Sequence, residues 1–224
     1  MRQWCFAAPT KDFVCRMEFL LDLYAQPADP DYPVVCFDEL PCGLVADVWA
    51  PLPETPGRRR TVDYEYTRHG SANVLLAFEA HRGWRCARVT QHRTKADFAL
   101  FLQALAAEHY PQAKRIRLVL DNLNTHGAWA LYDTFAPQEA LRLTKRFEFI
   151  YTPVHGSWLN QSEIEFSALM RQCLRRRVGS RETMAAEVAA WVEQRNRAGV
   201  TVAWRFRPEE ARVRLARLYD PTLS

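Results

Sequence analysis

The chain has 224 residues, 48% of them apolar and 25% charged, which excludes a disordered polymer and suits one sizeable folded domain. Net charge is only +4, but arginine is bunched in Arg58, Arg59 and Arg60, in Arg175, Arg176 and Arg177, and between residues 205 and 217, a distribution that suits a polyanionic partner. The six cysteines are scattered without a C-x-x-C pair, there is no secretory leader, and no apolar run approaches the roughly 20 residues that span a bilayer; reduced, mostly buried thiols in a soluble cytoplasmic protein are expected.

Phe13, Met17, Phe19, Leu20, Leu21, Leu23 and Tyr24 recur at roughly helical spacing and stop before Pro27, Pro30 and Pro33, which marks an N-terminal helix. The apolar run "VVCF" at residues 34–37 reads as a strand buried on both faces that ends in Asp38 and Glu39, with a second short strand at 44–49. After the loop "PLPETPGRRRT", strands at 62–66, 73–78 and 84–90, separated by turn signals at His69-Gly70-Ser71 and Arg82-Gly83, read as an antiparallel meander. Phe98, Phe101, Leu102 and Leu105 mark an amphipathic helix over 95–109. Strands at 116–120 and 147–152 flank a polar, helical segment, and this alternation predicts parallel pairing. Helices at 160–176 and 181–197 follow, then an arginine-rich segment after Trp204.

Asp38, Asp121 and Glu163 each stand where an apolar element emerges from the core. Three carboxylates brought together would repel one another and call for a positive partner, for which a hard divalent cation such as magnesium is the natural candidate. Each acid also has a plain structural reading. Asp38 suits a turn after a strand, where Glu39, on the opposite side by alternation, is an alternative; Asp121 suits an Asx-turn beside Asn122 and Asn124. Glu163 would complete a capping-box-like pattern with Asn160 as N-cap, and a rigid first-turn carboxylate also suits a metal ligand; Glu165, two residues on, points elsewhere and is read as structural. No G-x-S-x-G elbow, Walker loop or dinucleotide glycine fingerprint is present.

The stretches "VVCFDE", "LVLDNLNTH" and "YTPVHGSWLNQSEIEF", with "VDYEYTRHGSANVLLAFEA" and the late "WRF", resemble the catalytic domain of bacterial insertion-sequence transposases of the mariner superfamily, in particular the insertion-sequence-630 family. The resemblance implies a ribonuclease-H-like α/β fold, a mixed sheet of three antiparallel strands followed by parallel strand–helix units, flanked by helices. It also implies DNA cleavage and strand transfer by two divalent ions, Mg2+ or Mn2+, held by Asp38, Asp121 and Glu163. Glu39, Asn122, His126 and Asn160 would support those acids, and Arg58, Arg59, Arg60, His155, Arg175, Arg176 and Arg177 would contact DNA. The organisation expected is a lead-in over 1–33, a catalytic domain over 34–200 and an arginine-rich segment over 201–224 packed on it, without a complete helix-turn-helix. Expected partners are the transposon ends and target DNA, a separately encoded helix-turn-helix half and a second copy of the chain, on the nucleoid and away from membranes. The alternatives are a catalytically inactive DNA-binding remnant and a metal-free hydrolase of sugars that works with two carboxylates.

Overall fold

The structure, a computed structural model, describes residues 10–59 and 61–219. Strand β1 (Val34–Asp47) pairs antiparallel with β2 (Tyr66–Glu79), which returns as β3 (Trp84–Thr90). Strands β4 (Ile116–Leu120) and β5 (Phe147–Tyr151) add on the far side of β1, parallel to it, as the strand–helix alternation requires. The sheet order is β3-β2-β1-β4-β5.

Alternation along β1 sorts its side chains between two helical layers. Val35 and Phe37 join Leu75, Ala77, Leu118 and Leu120 in a core closed by α2 (Lys95–Ala104), α3 (Ala128–Thr134) and α4 (Pro137–Arg146). Cys36 faces the other way, meeting Val119 and Ile150 beneath α1 (Lys11–Ala25). On that second face Val74 and Leu76 pack against α5 (Ser162–Gln172) and α6 (Arg181–Arg197). Each fully buried Phe or Leu contributes about 1.5–3 kcal/mol to this arrangement. The last helix, α7 (Pro208–Arg214), lies on α1 through the Arg212–Glu18 ion pair at 2.7 Å, and Trp204 meets Tyr24 edge-on. No described helix is long and apolar enough to cross a membrane.

Several boundaries differ from the sequence expectation, each for a physical reason. The strands expected at 34–37 and 44–49 are one strand, because β1 has a neighbour on only one side beyond Cys36, and an edge tolerates Pro41. His69-Gly70-Ser71 is no turn: Leu44 faces both His69 and Gly70, a bulge made possible by Gly70 at φ +88, and β2 runs on through it. Residues 62–65 are not a strand. Helix α2 stops at Ala104 and widens into one π-turn over Leu105–His109, where the Tyr110 N–H donates to the Leu105 carbonyl. Helix α5 ends at Gln172, so Arg175, Arg176 and Arg177 lie beyond it. Of the five described cysteines, all free, only Cys36 is buried; Cys15 is exposed, the other three are half-buried, and Cys5 lies outside the described residues.

Candidate active site

Strand order reverses between β1 and β4, the place where open α/β sheets present a crevice at their carboxyl ends. Val34, Val35 and Cys36 face Arg117, Leu118 and Val119, and the same offset carried two residues further sets Asp38 abreast of Asp121. Two acids distant in sequence thus meet where β4 ends, Asp38 from within the long β1 and Asp121 from just past β4. Asp38 follows Cys36 onto the α5 face, and its Oδ1 accepts the Glu39 N–H at 2.8 Å. Burial, together with the charges of Asp121 and Glu163, pushes the Asp38 carboxyl up to about 7. That repulsion is the electrostatic mark of three converging carboxylates.

Asp121 is held tightly. Its Oδ1 accepts the Leu123 N–H at 3.1 Å in an Asx-turn and lies 2.5 Å from His126 Nδ1. Burial, the largest single influence, would raise its carboxyl; the bond and charge of His126, the Leu123 N–H and the charge of Arg93 together outweigh it and the net direction is down. His126 is fully buried, edge-on to Phe37 and tilted against Phe98, and its Nε2 reaches Glu39 Oε1 at 3.1 Å. Burial works against an imidazolium here, but the two carboxylates overcome it and lift His126 to about 9. One ring therefore ties Asp121 to the residue after Asp38. Asn122 points away from the acids and donates to the Thr152 carbonyl at 2.7 Å, fastening the β4 loop to the end of β5.

Glu163 stands exposed in the first turn of α5, its N–H donating to the Asn160 carbonyl at 3.2 Å. The expected capping box is not formed: the N-cap is Gln161, without a side-chain cap bond. Asn160 lies one residue earlier and is buried. It accepts from the Ser162 N–H and hydroxyl at 3.2 and 2.8 Å, and its Nδ2 donates to the Phe37 carbonyl at 2.8 Å. The start of α5 is thus tied to the peptide just before Asp38. His155 is exposed at φ +64 in the turn that precedes α5, where the Gly156 N–H donates to the Pro153 carbonyl at 2.8 Å. A Cβ on Gly156 would stand 2.6 Å from Pro153 Cγ, so this tight turn requires glycine.

The basic runs divide. Arg58 is held in a small backbone ladder with Thr55, Arg59 is exposed, and Arg60 lies outside the described residues. Arg176 pairs with Glu187, and Arg177 spans Asp47 at 2.7 Å and the Glu65 carbonyl at 2.7 Å. Arg175 makes no ion pair among the described residues. Arg59 and Arg175 line one open groove of about 1100 Å³. Arg93, whose Nη1 is 3.9 Å from Glu39 Oε2, was not expected at the site; nothing in its local sequence marks it, because the contact is made across the sheet end.

Asp38 and the two carboxylates whose charges help raise it, Asp121 and Glu163, offer the hard oxygen donors that a divalent ion takes. Among the described residues, however, no group of three or more His, Cys, Asp or Glu side chains is drawn into a closed ligand set. The donor chemistry fits a cation, with the acids standing open.

A protein-family model described as DDE superfamily endonuclease matches residues 33–185, a span that takes in all three acids. Among solved structures, the chain is similar to the Mos1 mariner paired end complex with Mn (TM-score 0.57, 18% identity, 89% of this chain and 62% of that one). It is similar to a pre-cleavage Mos1 transpososome as well (TM-score 0.59, 16% identity, 98% and 67%). A further match is the Mos1 paired end complex with Mg (TM-score 0.54, 18% identity, 89% and 61%). The chain thus spans about three-fifths of the length of the first of these proteins. No curated protein matches by sequence. The likeness carries the ribonuclease-H-like fold, a mixed five-stranded sheet flanked by helices. With the family model covering well over half its length, the chain belongs to the DDE superfamily endonucleases.

Proposed function

We propose that this chain is the catalytic part of a DNA transposase of the insertion-sequence-630 family, within the mariner superfamily, and that Asp38, Asp121 and Glu163 hold its metal. The observation that carries the reading is the register of β1 on β4, which sets Asp38 abreast of Asp121, with Glu163 near enough for its charge to push the buried Asp38 carboxyl further up. Mg2+ or Mn2+, as two ions, would be held by these three carboxylates; the likeness to Mos1 complexes with Mn and with Mg supports a divalent ion. When bound, such ions supply Lewis-acid stabilisation of phosphodiester oxygens and an activated hydroxyl for in-line attack.

The chain's own residues hold the acids for that task. His126 locks the Asp121 rotamer and hands its second nitrogen to Glu39, so neither carboxylate can swing without breaking a buried bond. Asn160 keeps the first turn of α5, and with it Glu163, against β1 at Phe37, the residue before Asp38. Arg59 and Arg175 offer phosphate contacts from their groove, with Arg58, Arg60 and His155 as further DNA-facing candidates. Arg176 and Arg177, already paired within the chain, shape that groove. DNA ends as the substrate are supported by the likeness to the Mos1 paired end complex. The working assembly in this reading is a homodimer on the nucleoid with a separately encoded helix-turn-helix half.

The test is a manganese soak followed by a DNA assay. An anomalous peak bounded by Asp38, Asp121 and Glu163, with Mn2+-dependent nicking that Asp121→Asn abolishes while DNA affinity stays, is the expected result. Nicking that survives chelation or Asp121→Asn overturns the reading. A wild-type chain that binds DNA and nicks none is the inactive remnant instead.

A further inference from the structure

The proposed mechanism leaves one buried titratable cluster unused. Glu165 is fully buried in the first turn of α5, two residues after Glu163. Both its oxygens are taken by Arg195 of α6, at 2.8 and 3.1 Å, and its Oε2 also stands 3.0 Å from Nε of Arg85 in β3. Arg85 is itself fully buried. Its Nη2 donates to the Val200 carbonyl at 2.6 Å, and the Asn196 side chain, from the end of α6, accepts from the Arg85 backbone N–H at 2.9 Å and donates to the Arg85 carbonyl at 2.8 Å. At the far end of α5, Gln172 accepts from Trp191 Nε1 of α6 at 2.9 Å. Two arginines and one glutamate leave a net positive charge in the interior, and buried ion clusters of this kind are commonly replaceable by apolar side chains with no loss of stability. Stability alone therefore does not account for it.

Orientation does. At 100° per residue, Glu165 lies about 200° around the helix from Glu163, so fixing Glu165 towards β3 and α6 turns Glu163 the opposite way. A 20° roll of α5 would move a side chain at its radius of 5–6 Å by about 2 Å. Productive sites tolerate about 0.5 Å. Apolar packing is non-directional, whereas a forked arginine–carboxylate pair fixes angle as well as distance.

We infer that the Arg85–Glu165–Arg195 cluster is a positioning device that sets the roll of α5 and so aims Glu163 at Asp38. This rests on the metal reading above, with Glu165 and both arginines acting through Glu163 and touching no substrate. Glu165→Gln strands the buried Arg85 and the half-buried Arg195 and threatens the fold, so the deciding variant is Arg85→Met/Glu165→Leu/Arg195→Leu, which refills the space with apolar atoms. Free Mn2+ is followed by electron paramagnetic resonance during titration of the full chain, alongside urea unfolding. A cooperative fold with Mn2+ binding weakened about tenfold or more, the range for residues that orient metal ligands, is expected. Wild-type Mn2+ affinity in the triple variant overturns the inference. If the wild-type chain binds no Mn2+, the metal reading is what fails, and the crystal structure of the variant decides instead: α5 rolled about its axis supports the positioning role, and α5 in place overturns it. Should the triple variant not fold, Arg195→Lys, which keeps the charge without the fork, is judged by the same two readings.

Discussion

Replacing His126 by phenylalanine isolates the bridge between Asp121 and Glu39. The ring position is kept, because His126 already packs at 5.2 Å from Phe37 and 5.1 Å from Phe98, and phenylalanine is of similar size. What is lost is the pair of bonds at 2.5 and 3.1 Å. Asp121, 34% exposed, regains water; Glu39 cannot, since its side chain is 2% exposed and its Oε2 has no hydrogen-bond partner. Stranding a buried charge in this way costs about 3–5 kcal/mol. Arg93, at 3.9 Å but 51% exposed, offsets a little of that, so about 3 kcal/mol is expected. For a domain of this size the melting temperature should fall by about 6–12 °C. Urea unfolding of His126→Phe, Glu39→Leu and the double variant closes a thermodynamic cycle, in which the double variant should recover about 2 kcal/mol. A His126→Phe loss below about 1 kcal/mol, or strictly additive single variants, would refute the bridge as the support of Asp121.

Asn160→Ala removes the buried clasp on the Phe37 carbonyl and Ser162 and should cost about 2 kcal/mol in urea unfolding; an unchanged midpoint would show that α5 is seated by packing alone. Burial pushes the thiols of Cys42 and Cys86 up to about 11 from 9.0. The folded chain therefore keeps protons that the unfolded chain gives up: their contribution is fully present below about pH 9 and is lost as pH rises towards 11. Urea midpoints should decline over that window, and a Cys42→Ala/Cys86→Ala variant should decline less; parallel curves would remove these thiols from the account. Arg59→Ala/Arg175→Ala should lower the slope of log K against log salt for duplex DNA by about 1.8, at 0.9 per phosphate contact. An unchanged slope would take their groove out of the interface.

Local patterns in the sequence were enough for β4, β5 and α6, whose edges fall within a residue of the expectation, because short apolar runs and helical periodicity are properties of adjacent residues. They were also enough to single out Asp38, Asp121 and Glu163 as emerging acids and to place Asp38 and Glu39 on opposite faces. The long β1–β2 ladder was not legible: Pro41 and Gly70 read locally as breaks, and only the missing neighbour on one edge and the bulge opposite Leu44 make them acceptable inside strands. Tertiary structure alone set Asp38 abreast of Asp121, laid His126 between two carboxylates, gave Asn160 to Phe37 instead of the helix cap, and spent Arg176 and Arg177 on intrachain pairs. It also paired Glu165 with arginines 80 residues upstream and 30 downstream. Each is a contact between segments far apart in the chain, where strand register and helix packing fix which charges meet, and no local residue pattern carries that information.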